Sequence, residues 1–151
     1  MSTTTGEKKR TAAHTRGKGK KTKTKFELRT GGDLLVAVSV SLPKKQVRDY
    51  LVQGRMPRAL LSTVLNISST KLSERISGSG NLLPAESERV VLTEQLLARG
   101  TAAFGDLDVF MAWLKDENVL LGERPIELIR STTGMALVLD ELISIEHGIP
   151  A

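Results

Sequence analysis

The sequence predicts an all-α fold: a helix-turn-helix unit, then a second small helical unit, with a basic disordered tail ahead of both. Three observations predict it. Of 151 residues, 40% are hydrophobic but only 3% aromatic, so aliphatic helix faces are the expected core and an aromatic-rich β-sandwich is disfavoured. From Leu42 onward apolar residues recur at i, i+3 and i+4, the period of helices. Gly54, Asn66, Gly105 and Gly122 interrupt that period at short intervals, which divides it into several helices. A chain of this length holds one ordinary domain or two small units sharing a core. The expected division is a tail over residues 1–25, a helix-turn-helix domain over 26–100 and a second domain over 101–151.

The net charge of +5 is distributed in blocks. Met1 to Lys25 carries nine basic residues against Glu7, a balance of +8. Residues 26–41 contribute −1, residues 42–100 contribute +4, and residues 101–151, with nine carboxylates and three cations, contribute −6. A lysine-rich tail interleaved with Thr, Gly and Ala buries too little apolar surface to offset its chain entropy, so it is expected to be disordered when free. Its working role would be to lie along DNA phosphates and release counterions. Between tail and helices, residues 32–40 alternate Val36, Val38 and Val40 in a pattern open to helix or edge strand.

Several functional classes are disfavoured. The absence of cysteine removes disulfides, thiolate metal sites and cysteine nucleophiles, and is compatible with a reducing cytoplasm. His14 and His147 are the only histidines and stand far apart in the chain, which speaks against a metal site or a histidine-based triad; neither a metal nor a cofactor is expected. The longest nearly uncharged apolar stretch, Leu34 to Leu42, is about half of the roughly 20 residues that cross a bilayer. A signal peptide is not expected behind so long a polar, lysine-rich opening.

The first helix of the middle region opens near Pro43 and carries Val47, Tyr50 and Leu51 inward before Gly54. The next begins at Pro57 and places Leu60, Leu61, Val64 and Leu65 on one face. Leu61 to Ile76 then fills each constrained position of a helix-turn-helix. Ser62 is small where the second helix crosses, and Asn66 accepts left-handed backbone angles at the turn. Ile67 plugs the turn, Ser68 caps the following helix, and Leu72 and Ile76 anchor it inward. Ser69, Thr70, Lys71, Ser73, Glu74 and Arg75 are left facing outward, the early members toward base edges in a major groove. Ser68, Ser69, Thr70, Lys71, Ser73 and Arg75 are therefore candidate DNA-binding residues, with Lys44, Lys45, Arg55 and Arg58 as candidate phosphate contacts. The stretch Gly78 to Asn81 lacks the lysine and preceding strand of a phosphate-binding loop and reads as an exposed turn.

In the acidic third, a helix starting at Pro84 runs through Val90, Leu96 and Leu97 toward Ala103 and ends at Gly105. Asp106 caps a short helix with Leu107, Phe110, Met111 and Leu114 on one stripe and Val109 and Trp113 on a second, so two sides need covering, by its own domain or a partner. Pro125 opens a helix with Ile126, Leu128 and Ile129. Thr132 or Thr133 is expected to cap the last one, with Met135, Val138, Leu139 and Leu142 inward and Gly148 at its end.

These residues resemble the Xre/MbcA/ParS antitoxins that accompany RES-domain toxins. The resemblance rests on Thr101 to Asp106 (TAAFGD), Ala112-Trp113-Leu114, Asn118 followed by Leu121-Gly122, Pro125 to Ile129, Thr133-Gly134 and the closing Ile145 to Ile149 (IEHGI). With the upstream helix-turn-helix it extends from about Leu42 to the end. Glu123-Arg124 stands where a Gly-containing turn is common, and Pro150 where an aromatic is expected.

The resemblance implies a non-enzymatic homodimer, Xre-like in its helix-turn-helix, that represses its own operon and neutralises an NAD-consuming toxin of ADP-ribosyltransferase-like fold. Such a protein would sit in the bacterial cytoplasm, on the nucleoid when bound to its operator. The antitoxin's C-terminal domain would cover the toxin, with Trp113 on its surface and Glu146, His147, Gly148, Ile149, Pro150 and Ala151 blocking the active-site entrance. The alternative is a stand-alone regulator whose second domain only dimerises. A catalytic reading fares worse, because Asp140 and Glu141 are adjacent and point about 100° apart on a helix.

Overall fold

The apolar spacing becomes seven helices in the computed structural model, which describes residues 41–148. The basic tail, the stretch 32–40 and the terminal Ile149, Pro150 and Ala151 lie outside the described residues. The helices are α1 (Lys44–Val52), α2 (Arg58–Leu65), α3 (Ser69–Ile76), α4 (Pro84–Phe104), α5 (Leu107–Trp113), α6 (Pro125–Leu128) and α7 (Thr132–Glu146). Among the described residues no strand forms, and the fold is all-α as expected.

Pro43 and Pro57 stand just outside α1 and α2, as extended N-caps, one residue earlier than a first-turn position. For Pro43 the reason is a short antiparallel pairing: Leu82 N–H donates to the Leu42 carbonyl at 2.8 Å, and Lys44 N–H to the Gly80 carbonyl at 2.9 Å. The turn at 78–81 is exposed as expected, and it serves to start α1. Val47 and Tyr50 of α1, Leu60, Leu61 and Val64 of α2, and Leu72 and Ile76 of α3 are all buried in one cluster. Asn66, at φ 55 and ψ 40, is the only non-glycine residue at positive φ among the described residues. Ser68 then caps α3 by accepting from the Lys71 N–H at 3.2 Å. Ser62 Oγ is enclosed without a hydrogen-bond partner, as suits a residue required for its size.

The long helix α4 starts on Pro84, with the Glu86 carboxylate accepting the Leu83 N–H at 3.1 Å, and stops at Gly105, whose φ of 73 is glycine's ground. Its buried Val90, Val91, Leu92, Leu96 and Leu97 form the spine on which α2, α5 and α7 pack. The division expected at 100/101 falls inside this helix. Asp106 caps α5, accepting from Asp108 and Val109 N–H at 2.8 and 3.0 Å. The Phe110 ring lies on Gly100, where a Cβ would stand 2.4 Å from it, so this approach of α5 to α4 requires glycine.

One cap differs from expectation. Ser131, not Thr132 or Thr133, caps α7, its Oγ accepting from Gly134 N–H at 2.9 Å. The threonines already lie in the first turn, because α6 meets α7 so closely that a Cβ on Gly134 would stand 2.1 Å from the Leu128 carbonyl oxygen.

Candidate functional site

The exposed face of α3 presents Ser69, Thr70, Lys71 and Ser73, and α2 brings Arg58 to it. The Arg58 guanidinium donates through Nε to Ser69 Oγ at 3.0 Å, and through Nη2 to the Ser69 carbonyl at 3.3 Å and to Ser73 Oγ. All three partners are neutral oxygens, so the positive charge stays uncompensated by them. Lys71 reaches Glu74 at 3.1 Å in a solvent-exposed pair of little energetic weight.

The other expected cations do not all converge there. Arg75 turns back onto α4 and pairs with Glu86 at 2.9 Å. Lys45 pairs with Asp49 at 2.7 Å within α1, and Lys44 is half-buried beside the 78–81 turn. Arg55 lies 5.1 Å from the centre of the Tyr50 ring. Tyr50 and Glu94 face one another under Arg55. Burial raises the pKa of both, and for each the nearby Arg55 charge partly offsets it.

Two arginines not singled out by their sequence positions hold the frame. Arg48 donates to the Ile76 and Gly78 carbonyls and so closes the end of α3. Arg89 of α4 donates to the Val64 carbonyl at 2.7 Å and reaches the Arg130 carbonyl at 3.5 Å. The Asn66 side chain donates to that same Arg130 carbonyl at 2.9 Å. The α2–α3 corner is thus fastened to the α6–α7 junction, 64 residues away in sequence. No local pattern signals a bond between residues so distant.

In the acidic third, Trp113 is half-buried in an aromatic group with Phe104 and Phe110, at centroid distances of 5.3 and 6.1 Å. Of the second stripe, the domain's own packing covers much of Trp113 and leaves Val109 half in solvent. Glu146 pairs with Arg99 of α4 at 3.2 Å, His147 caps α7, and Gly148 follows at φ 62. Trp113 and Glu146 therefore both attach through the last turns of α4, since Phe104 and Arg99 are about 7.5 Å apart along the helix axis. Sequence reading also passed over Val119 and Leu120, an apolar pair in the α5–α6 loop that the packing leaves exposed. Among the described residues no group of acidic or histidine side chains is arranged to hold a metal ion, and no helix is long and apolar enough to cross a membrane.

Residues 99–148 match the family described as the antitoxin Xre/MbcA/ParS C-terminal toxin-binding domain. Over 96 residues the chain is 29% identical to "Antitoxin Xre" of Yersinia enterocolitica serotype O:8 / biotype 1B (strain NCTC 13174 / 8081). That similarity covers 62% of this chain and 65% of the relative, so the chain spans a little under two thirds of the relative's length. The matched segment contains α5, α6, α7 and the end of α4, with the aromatic group, the Arg99–Glu146 pair and the α5–α6 loop described above. In its C-terminal segment and in its likeness to that relative, the chain is similar to the Xre/MbcA/ParS-type antitoxins.

Proposed function

We propose that the chain neutralises a RES-domain toxin, an NAD-consuming protein of ADP-ribosyltransferase-like fold, by covering its active site, and that as a homodimer it represses its own operon. The main support is the match of residues 99–148 to a toxin-binding domain. In this reading α7 delivers Glu146, His147 and Gly148, followed by Ile149, Pro150 and Ala151, to the toxin's active-site entrance, and Trp113 stiffens the surface behind them. Inhibition is steric. It needs no catalytic group on this chain.

The DNA-binding half is supported by the local geometry of α2, Asn66 and α3, which we read as a helix-turn-helix. Ser69, Thr70, Lys71 and Ser73 would face the groove at the start of α3, with Ser68 capping it. Arg58, fixed by two serines and lacking a carboxylate partner among the described residues, would grip a phosphate beside them. Arg75, paired with Glu86, would contribute less than the sequence suggests. Lys44, Lys45 and Arg55 would act through the field of the region more than through direct contact. The basic tail would add contacts that fade with salt. Such a protein would work in the bacterial cytoplasm, at the nucleoid when bound to its operator.

The test is co-expression with the product of the adjacent open reading frame, scoring growth and cellular NAD. The full chain should restore both, and removal of the last five residues should abolish rescue while operator binding persists. Full rescue by the truncated chain would reject the plug. Absence of rescue by the full chain would reject the antitoxin reading.

A further inference from the structure

The loop between α5 and α6 has a shape that its composition does not require. Asn118 Oδ1 accepts the Leu120 and Leu121 N–H groups at 2.9 and 3.0 Å, and its carbonyl accepts from Gly122 N–H at 2.9 Å. The Ile126 N–H donates to the Leu114 carbonyl at 2.8 Å and closes the base. Leu121 packs on the core. This self-bonded backbone carries Val119 with 95% and Leu120 with 58% of their surface in solvent. A loop tip satisfied by its own hydrogen bonds is ordinarily polar; an aliphatic pair held outward on a stiff support is a preformed contact.

We infer that Val119 and Leu120 are an anchor for the toxin, seated in an apolar hollow of the toxin rimmed by Lys or Arg. This rests on the antitoxin reading proposed above. The rim follows from the flanks, where Asp116, Glu117 and Glu123 outnumber Lys115 and Arg124, and none of the three carboxylates has an ion-pair partner among the described residues. The same excess of carboxylates disfavours a second copy in a two-fold contact. The loop also lies within the matched toxin-binding segment.

The experiment measures binding of the candidate toxin, the product of the adjacent open reading frame, to the full chain and to Val119→Ser/Leu120→Ser, with Val52→Ser as control. Val52, 87% exposed on α1, offers comparable apolar surface on the other half of the molecule. The double variant should keep its melting temperature and weaken toxin binding by about 30-fold, a hot-spot loss, mostly through faster dissociation. Val52→Ser should bind as the parent does. Asp116→Asn/Glu117→Gln should slow association and flatten its salt dependence. Equal toxin affinity in the parent and the double variant overturns the inference and leaves the antitoxin reading standing. Loss of self-association with toxin binding retained overturns it in favour of a second copy. A parent chain that does not bind the toxin overturns both.

Discussion

The corner at Asn66 and the loop at Asn118 both turn the chain on an asparagine, by different physics. Asn118 works locally: its side chain accepts two N–H groups from residues two and three positions on. Asn66 turns with its backbone, in the left-handed region, and its side chain is left to donate across the molecule to the Arg130 carbonyl. The first turn carries its own support and can present an apolar tip. The second depends on α6 and α7 being in place, so the orientation of α3 is tied to the domain that matches the toxin-binding family. Burial teaches the same lesson on a larger scale. Phe110, Leu114 and Leu142 of the carboxyl-terminal helices are as fully buried as Leu61 and Leu72 of the amino-terminal ones, over a single α4.

If the Asn66 corner depends on the α6–α7 junction, damage to the junction should be costly and felt at a distance. Gly134→Ala puts a Cβ against the Leu128 backbone carbonyl, which has no rotamer to yield, and α6 or α7 must shift. We expect a loss of about 3 kcal/mol and a fall of about 12 °C or more in melting temperature. In native-state hydrogen exchange, the Asn66 and Ile67 amides should lose protection along with those of α7.

Substitutions of Asn66 separate its two roles. Asn66→Ala meets the left-handed penalty of about 1 kcal/mol and loses the bond to Arg130, for about 2 kcal/mol in urea denaturation. Asn66→Gly keeps the backbone angle and should cost about 1 kcal/mol. Equal losses for the two would show that the conformation is not what asparagine supplies. Asn118→Ala should cost no more than about 1 kcal/mol and raise exchange only at Leu120 and Leu121, since nothing distant leans on it.

A pH dependence should accompany these at the other face of α4. Burial raises the Glu94 pKa, so the folded chain keeps its proton above the usual glutamate range. The associated stabilisation is complete below that range and is lost as pH rises through the folded value. Glu94→Gln should therefore match the parent in acid and gain on it toward neutrality. Unfolding midpoints over a pH series would reveal a flat difference if the carboxyl were in fact well solvated.

The helices themselves were readable because their signals are local. Val47 and Tyr50, Leu60 and Val64, Leu72 and Ile76 repeat at helical spacing, and Asn66, Ser68, Gly105 and Asp106 act within three residues of where they stand. Spacing points to Thr132 or Thr133 where Ser131 is the α7 cap, because the three are equivalent as cap formers. The fit of Gly134 under Leu128 selects among them. The site was harder to read. Spacing put Arg75 on the outward face of α3, but could not show that Glu86 lies within 2.9 Å of it. Nor could it show that Arg58 leans on Ser69 and Ser73.

Helix identity, most caps, the left-handed corner and the uneven spread of charge follow from residues that are neighbours along the chain, whose period and backbone preferences act before any folding. Which cation is free, which is bound to its own protein, and which aliphatic residues stay in water depend on contacts up to 64 residues apart. Those contacts exist only once α2, α5 and α7 have packed on α4, because the burial that orders them is shared by the whole core.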